Sequence, residues 1–233
     1  MVFTLENVVI WGRSYAEYVS MFALSENDLR LRILGCSDGP ASFNSVLTEK
    51  GGHVISADPA YAFSRDEIKG RIHRTCGDIL EQTKKNRDEF VWTYIRSIEE
   101  LERIRMEAME RFLDDYPSGQ NEGRYRNASL PSLPFKDKEF GLALCSNFLF
   151  LYSKHLSLEF HLQSLRELCR VSDEVRIFPL LELGAVVSRH LEPVKEQLVR
   201  EGFTVIIENV QFEFQKGANQ MMRIRGPCLT AGI

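Results

Sequence analysis

Two rhythms of apolar positions alternate along the chain. In residues 12–24, Tyr15, Tyr18, Val19 and Phe22 recur at helical spacing behind Ser14 and Glu17, which stand as a capping box, so an amphipathic helix is predicted. After a polar connector, residues 31–36 form a short apolar run that ends in the turn Ser37–Pro40. A helix over 42–50 follows, stopped by Gly51-Gly52, and then a second short strand, 54–57, ending on Asp58. Ser64 and Glu67 cap a helix running to about residue 73, and 79–92 reads as a second, shorter one. Ile98, Leu101, Ile104, Ala108, Met109, Phe112 and Leu113 then mark one face of a highly charged helix capped by Ser97 with Glu100. PSGQNEG, residues 117–123, has loop composition.

Beyond it, 124–130 reads as a short third strand and 140–145 as a buried fourth one. A helix over 157–171 turns Leu158, Leu162, Leu165 and Leu168 to one side; 174–180 is a fifth strand, and 192–202 a helix with Pro193 in its first turn. Val205, Ile207, Val210, Phe212, Phe214, a Lys216-Gly217 turn and 222–225 close the chain as an antiparallel hairpin. Alternating strands and helices imply an α/β sandwich with a mostly parallel sheet. Residues 76–123, which hold no strand, are a helical insertion between strands two and three. They either cover a sheet face or build a pocket, and the N-terminal helix either packs on the core or acts as a lid over the first strand. At 233 residues the chain suits a single domain with such an insertion.

Composition narrows the classes. A net charge of −4 with interspersed signs lacks the basic footprint of a nucleic-acid binder. Five widely spaced cysteines, odd in number and without a Cys-x-x-Cys pair, indicate reduced thiols and a cytoplasmic setting. The five histidines show no ligand spacing, so no metal is expected. The N-terminus has no signal-peptide pattern and the longest uncharged run, 140–152, is too short to span a bilayer, so no membrane role is expected. The acceptor pattern Asn127-Ala128-Ser129 is read as chance.

In a sheet of this kind ligands sit at the carboxyl ends of the strands, beside the topological switch. Gly35, Asp38, Gly39 and Pro40 belong to the loop after the first strand: Gly39 allows close backbone approach, and Asp38 is suited to an ammonium or a water. Asp58 is placed to accept from ribose hydroxyls. The loop is not Gly-x-Gly-x-x-Gly, since Phe43 or a neighbour stands where the third glycine belongs, so a dinucleotide phosphate is poorly served. A nucleoside with a zwitterionic amino-acid tail fits better.

In these motifs the chain resembles the class I S-adenosylmethionine-dependent methyltransferases, in particular the bacterial type 11-like proteins. The resemblance runs through GRSYAEYVSMF, ILGCSDGPASFN, VISADP, SLPSLPF, FGLALCSNFLFLY and FEFQKGANQMMRI. It implies a Rossmann-like three-layer sandwich with a seven-stranded sheet, S-adenosylmethionine as cofactor and a small-molecule methyl acceptor as partner. In the family's acid-x-Gly-x-Gly-x-Gly pattern, Gly35 holds the place of the acid, which in the family organises the contact to the methionine amino group. Ser37, Gly39 and Ala41 hold the three glycine places, and Asp38 is the candidate substitute for the acid. Asp58, followed by Pro59, matches the ribose-binding acid. Ser129 and Leu130 fall where an Asp-Ala pair often lies beside the adenine; Cys145, Ser146 and Asn147 end the fourth strand, where the family lines the methionine part and the acceptor, and Cys36 ends the first strand on the cofactor side. Ser146-Asn147-Phe148-Leu149 departs from the Asn/Asp-Pro-Pro-aromatic run of enzymes that methylate nucleic-acid bases, which argues against that substrate.

An activated sulfonium methyl mainly needs an acceptor held in line and water kept out. No residue declares itself as a general base, so no catalytic residue is assigned. Tyr15, Tyr18, Asn147 and the loop residue His155 are the candidates for the acceptor side, whereas His161 is read as a surface helix residue and Cys36 and Cys145 as inert packing thiols. Two alternatives stand beside a methyltransferase: a nicotinamide-dependent oxidoreductase, and a non-catalytic binding protein that retains the fold.

Overall fold

A computed structural model of the chain describes residues 9–226. Cys228 and the first eight residues of the N-terminal segment lie outside the described residues. The sheet is built from β1 (Arg32–Cys36), β2 (His53–Ala57), β3 (Tyr125–Arg126), β4 (Phe140–Ser146), β5 (Ser172–Phe178), β8 (Thr204–Asn209) and β9 (Gln220–Arg225), with a separate two-stranded ribbon of β6 (Leu181–Glu182) and β7 (Val186–Val187). The helices are α1 (Tyr15–Met21), α2 (Phe43–Glu49), α3 (Arg65–Lys85), α4 (Ile98–Asn121), α5 (Leu158–Val171) and α6 (Leu191–Arg200).

The seven strands lie in the order β3-β2-β1-β4-β5-β9-β8. All pairings from β3 to β5 are parallel, and β9 runs antiparallel between β5 and β8. This is the Rossmann-like three-layer sandwich with its closing hairpin. β1 and β4 are neighbours, with Ile33 opposite Leu142 and Cys36 opposite Cys145. Because the chain leaves β1 toward β2 on one side and returns through β4 on the other, their carboxyl ends diverge and open a crevice. The period-two alternation of β1 and β4 feeds two cores. Ile33, Leu142 and Leu144 face Phe22 and Phe43, while Leu34, Ala143 and Cys145 face Leu165 and Leu168 of α5 and Val194 of α6.

Ser14 and Ser64 form complete capping boxes with Glu17 and Glu67, and Ser97 and Ser157 cap α4 and α5. Four expectations change. The helices expected at 64–73 and 79–92 are joined, since α3 continues through Cys76 and Ile79, whose side chains keep its buried stripe intact, to Lys85. The insertion boundary at 76 therefore falls inside a helix. The expected loop at 117–123 is mostly helix: α4 passes through Pro117 to Asn121. Proline has no N–H, so it strips the carbonyl of Leu113 of its helical donor; Arg65 on α3 replaces it, Nε donating to that carbonyl at 2.9 Å. The third strand contracts to two residues. Phe212 and Phe214 leave the hairpin, because β8 ends at Asn209 and the connection to β9 bends back onto the segment after α3, where Val91 N–H donates to the Phe214 carbonyl at 2.7 Å.

The Arg65–Leu113 contact makes the continuation of α4 testable. Arg65→Met should cost about 1–2 kcal/mol by stranding the carbonyl, since the exposed ion pairs of Arg65 with Asp66 and Asp114 contribute little. In a Pro117→Ala background, where the helix supplies its own donor, the cost should fall to a few tenths in urea-melt double-mutant cycles. Equal costs in both backgrounds would contradict the account.

Candidate functional site

Gly35 is where the site begins. A Cβ on this residue would fall 1.8 Å from Oδ2 of Asp38. The missing side chain leaves room for the turn Ser37–Pro40 to fold the Asp38 carboxyl back over the end of β1. There its two oxygens accept from two buried hydroxyls, Tyr18 of α1 at 2.8 Å and Ser56 of β2 at 2.7 Å. The Asp38 carboxyl thus occupies the place that a side chain on Gly35 would take.

Asp58, at the end of β2, fixes the same loop from the other side. Its Oδ2 accepts from Gly39 N–H at 2.9 Å and its Oδ1 from Ala60 N–H at 2.7 Å, leaving further lone pairs on both oxygens. Gly39 has φ of +53° and nothing within 4 Å of where a Cβ would stand, so its Cα borders open space. Burial, reinforced by the neighbouring Asp58, pushes Asp38 up to about 7 against the pull of its two hydroxyl donors. Burial also raises Asp58, against two backbone hydrogen bonds.

These residues line a cleft of about 370 Å³ at the carboxyl ends of β1, β2 and β4. Of the residues singled out in the sequence, Asp38, Gly39, Asp58, Pro59, Ser129, Leu130, Ser146 and Asn147 line it together. Gly35, Cys36 and Pro40 do not: Gly35 lies under Asp38, the Cys36 thiol is buried in the core, and the Pro40 carbonyl packs against Gly12. Tyr15 and Tyr18 do not reach the cleft either. They stack on Phe43 with ring centroids 5.7 and 4.7 Å apart, and Tyr18 acts on the site from behind, through Asp38. His155 is an exposed residue beside Tyr152. The surface role expected of His161 is corrected, since it is fully buried and its ring nitrogens contact the carbonyls of Ser157 and Leu149 at 2.8 and 3.0 Å.

The cover of the cleft is not α1 but the extended segment before it, since Val9, Ile10, Trp11 and Arg13 form one wall. Val9, Trp11, Arg13 and Asn147 also line a second, largely apolar cavity of about 110 Å³, bounded further by Phe90, Leu101, Arg105, Tyr152, Phe178 and Phe214. The two spaces share a wall at Asn147. That residue has φ of +52°, its Oδ1 accepts from Arg13 Nη2 at 3.2 Å, and its Nδ2 donates to Ser146 Oγ at 2.8 Å.

Behind this wall lies a charged group that sequence reasoning missed. Glu17 and Arg105 are fully buried and ion-paired, and Arg13 adds a second guanidinium. Burial and the adjacent Arg105 lower Arg13 to about 9. Against the cost of burial, Arg105 and Arg13 hold Glu17 below the usual carboxylate range. The signal was present: Arg105 stands within the apolar stripe of α4, between Leu101 and Ala108, where a solvated charge has no place. Among the described residues no group of three or more His, Cys, Asp or Glu is arranged to hold a metal ion, and no helix is long and apolar enough to cross a membrane.

The strand order and the crevice define the class I S-adenosylmethionine-dependent methyltransferase fold. The chain is similar in fold to magnesium protoporphyrin IX methyltransferase from Synechocystis PCC 6803, whose structure has S-adenosylhomocysteine bound. The TM-score is 0.50 with 11% identity, over 90% of this chain and 80% of that one. No protein-family profile matches the sequence. The chain belongs to the same family as the uncharacterized protein MJ0045 of Methanocaldococcus jannaschii, with which it is 32% identical over 223 residues, 95% of this chain and 97% of that protein.

Asp38 also sets a pH dependence of stability. The folded state keeps its proton up to about pH 7, whereas the unfolded chain releases it near 4. Stability from this group is thus full below pH 4 and falls as pH rises to about 7. Asp38→Asn should stabilise the protein at pH 8, by on the order of 2–4 kcal/mol, and by much less at pH 5. Urea midpoints at the two pH values check this, and a substitution that is destabilising at pH 8 would contradict it.

Proposed function

We propose that the chain transfers a methyl group from S-adenosylmethionine to a small-molecule acceptor. The observation that carries this is the pair of carboxyls in the cleft, Asp58 with spare acceptor capacity and Asp38 standing where the end of β1 lacks an acid. Two acids and no basic loop suit a nucleoside with an ammonium-bearing tail and oppose a pyrophosphate. Three N–H groups of this loop are already engaged, Ser37 with Ala57, Gly39 with Asp58 and Ser42 with the Arg13 carbonyl. This weighs against a nicotinamide dinucleotide.

In this assignment Asp58 accepts from the ribose hydroxyls, Asp38 faces the amino group, Gly39 lets the backbone approach closely, and Ser129 and Leu130 flank the base. Ser146 and Asn147 lie toward the reacting end. When bound, S-adenosylmethionine supplies a sulfonium methyl already activated for attack by an acceptor lone pair. The protein then has to orient the acceptor and exclude water. Trp11 and Arg13 close one side, Asn147 separates the two spaces, and the second cavity receives the acceptor. We take the chain as one methyltransferase-like unit, with 76–123 as its insertion and the segment before α1, Val9 to Arg13, as its cover, acting in the cytoplasm without nucleic-acid or membrane partners. Among the described residues four buried free thiols are in keeping with that compartment.

Calorimetric titration with S-adenosylhomocysteine should show binding that Asp58→Ala weakens at least tenfold, as expected for losing a charged acceptor, roughly 1.5–3 kcal/mol. Affinity should also fall as pH drops through about 7, where Asp38 takes up its proton and the ligand ammonium loses its counter-charge. The Asp38→Asn variant should lose that pH dependence. Absence of binding at millimolar ligand, or binding indifferent to Asp58, would overturn the assignment.

A further inference from the structure

The second cavity is apolar on most of its wall and cationic at one end. Arg13 and Arg105 both line it, and among the described residues no Asp or Glu does. Glu17 is the carboxylate that couples to both guanidinia, and its Oε2 is already held by Arg105 Nη1 and by the Ser14 N–H and hydroxyl. Two guanidinium charges thus stand against a single carboxylate, with Arg105 and Glu17 fully buried and Arg13 partly so. Each arginine also keeps a buried N–H without a partner, Arg13 Nη1 and Arg105 Nε. Glu17 Oε1 is buried and unpartnered as well, but it does not border the cavity and leaves the net charge unchanged. An arrangement with an uncompensated buried cation and orphan donors is costly unless an anion completes it.

We infer that this cavity is the acceptor subsite and that it takes a small organic carboxylate, with its apolar body among Phe90, Leu101, Phe178 and Phe214 and its carboxylate on Arg13 and Arg105. The size suits a group of about one aromatic ring, and guanidinium is the cation best matched to a planar two-oxygen anion. Arg13 also fixes the Asn147 carboxamide at the boundary with the cleft, so an occupied anion site and the wall facing the methyl donor share one side chain. Calling the carboxylate a methyl acceptor rests on the function proposed above, whereas binding of the anion does not.

Full-length protein is titrated with benzoate and with benzamide, its neutral near-isostere, each with and without saturating S-adenosylhomocysteine. Benzoate should bind at least tenfold more tightly than benzamide, as expected for a charge-assisted contact. Arg13→Met should remove that preference. Glu17→Gln, which leaves both cations in place and deletes the opposing charge, should strengthen benzoate binding several-fold and leave benzamide unchanged. Equal binding of the two probes, no benzoate binding at millimolar concentration, or a preference that survives Arg13→Met would each overturn the inference. Benzoate selectivity without any binding of S-adenosylhomocysteine would uphold the anion site while removing the methyl-transfer reading. The reverse result would remove the anion site and leave that reading standing.

Discussion

The site depends on a carboxyl group buried where a glycine makes room for it. Asp38 lies over Gly35, tied to α1 by Tyr18 and to β2 by Ser56, and the loop that delivers it is closed by Asp58 through Gly39. A side chain at Gly35 and the Asp38 carboxyl cannot occupy this place together. The strand end therefore needs a glycine if the acid comes from the following turn. In that arrangement the N–H groups of Ser37, Gly39 and Ser42 are committed to internal hydrogen bonds, and two carboxyls stand in a cleft whose lining is otherwise largely apolar. The tyrosine that appears from the sequence to be a candidate lid is instead the buried support of that acid.

Most of the fold was legible because its boundaries are written locally. Serines at helix starts, glycines at helix ends and short apolar runs reported the central strands and most helix starts. What was illegible depended on distant partners. Pro117 reads as a helix terminator until Arg65, on another helix, supplies the donor that proline cannot. Phe212 and Phe214 alternate like a strand, but their connection is drawn away by the segment after α3. The break between two expected helices at 73–79 had no physical cause, and α3 simply continues.

The cleft was read better than the cavity beside it, for a related reason. Asp58, Ser146 and Asn147 stand at strand ends and Gly39 in the turn after β1, so topology alone brings them together. Tyr15, Tyr18 and His155 lie on a helix and a loop whose placement no strand end dictates, and the structure places them outside the cleft. Arg13, Glu17 and Arg105 come from three separate places in the chain. Glu17 was already explained by its capping box, and Arg105 was hidden among the many charges of α4. Only its place in the apolar stripe set it apart.

The most direct measurement of the central claim is a crystal structure of the protein with S-adenosylhomocysteine. The account expects the ribose hydroxyls on Asp58, the amino group facing the Asp38 carboxyl above Gly35, and the thioether directed past Asn147 toward the second cavity. A ligand whose amino group turns away from Asp38, or whose ribose lies clear of Asp58, would contradict it.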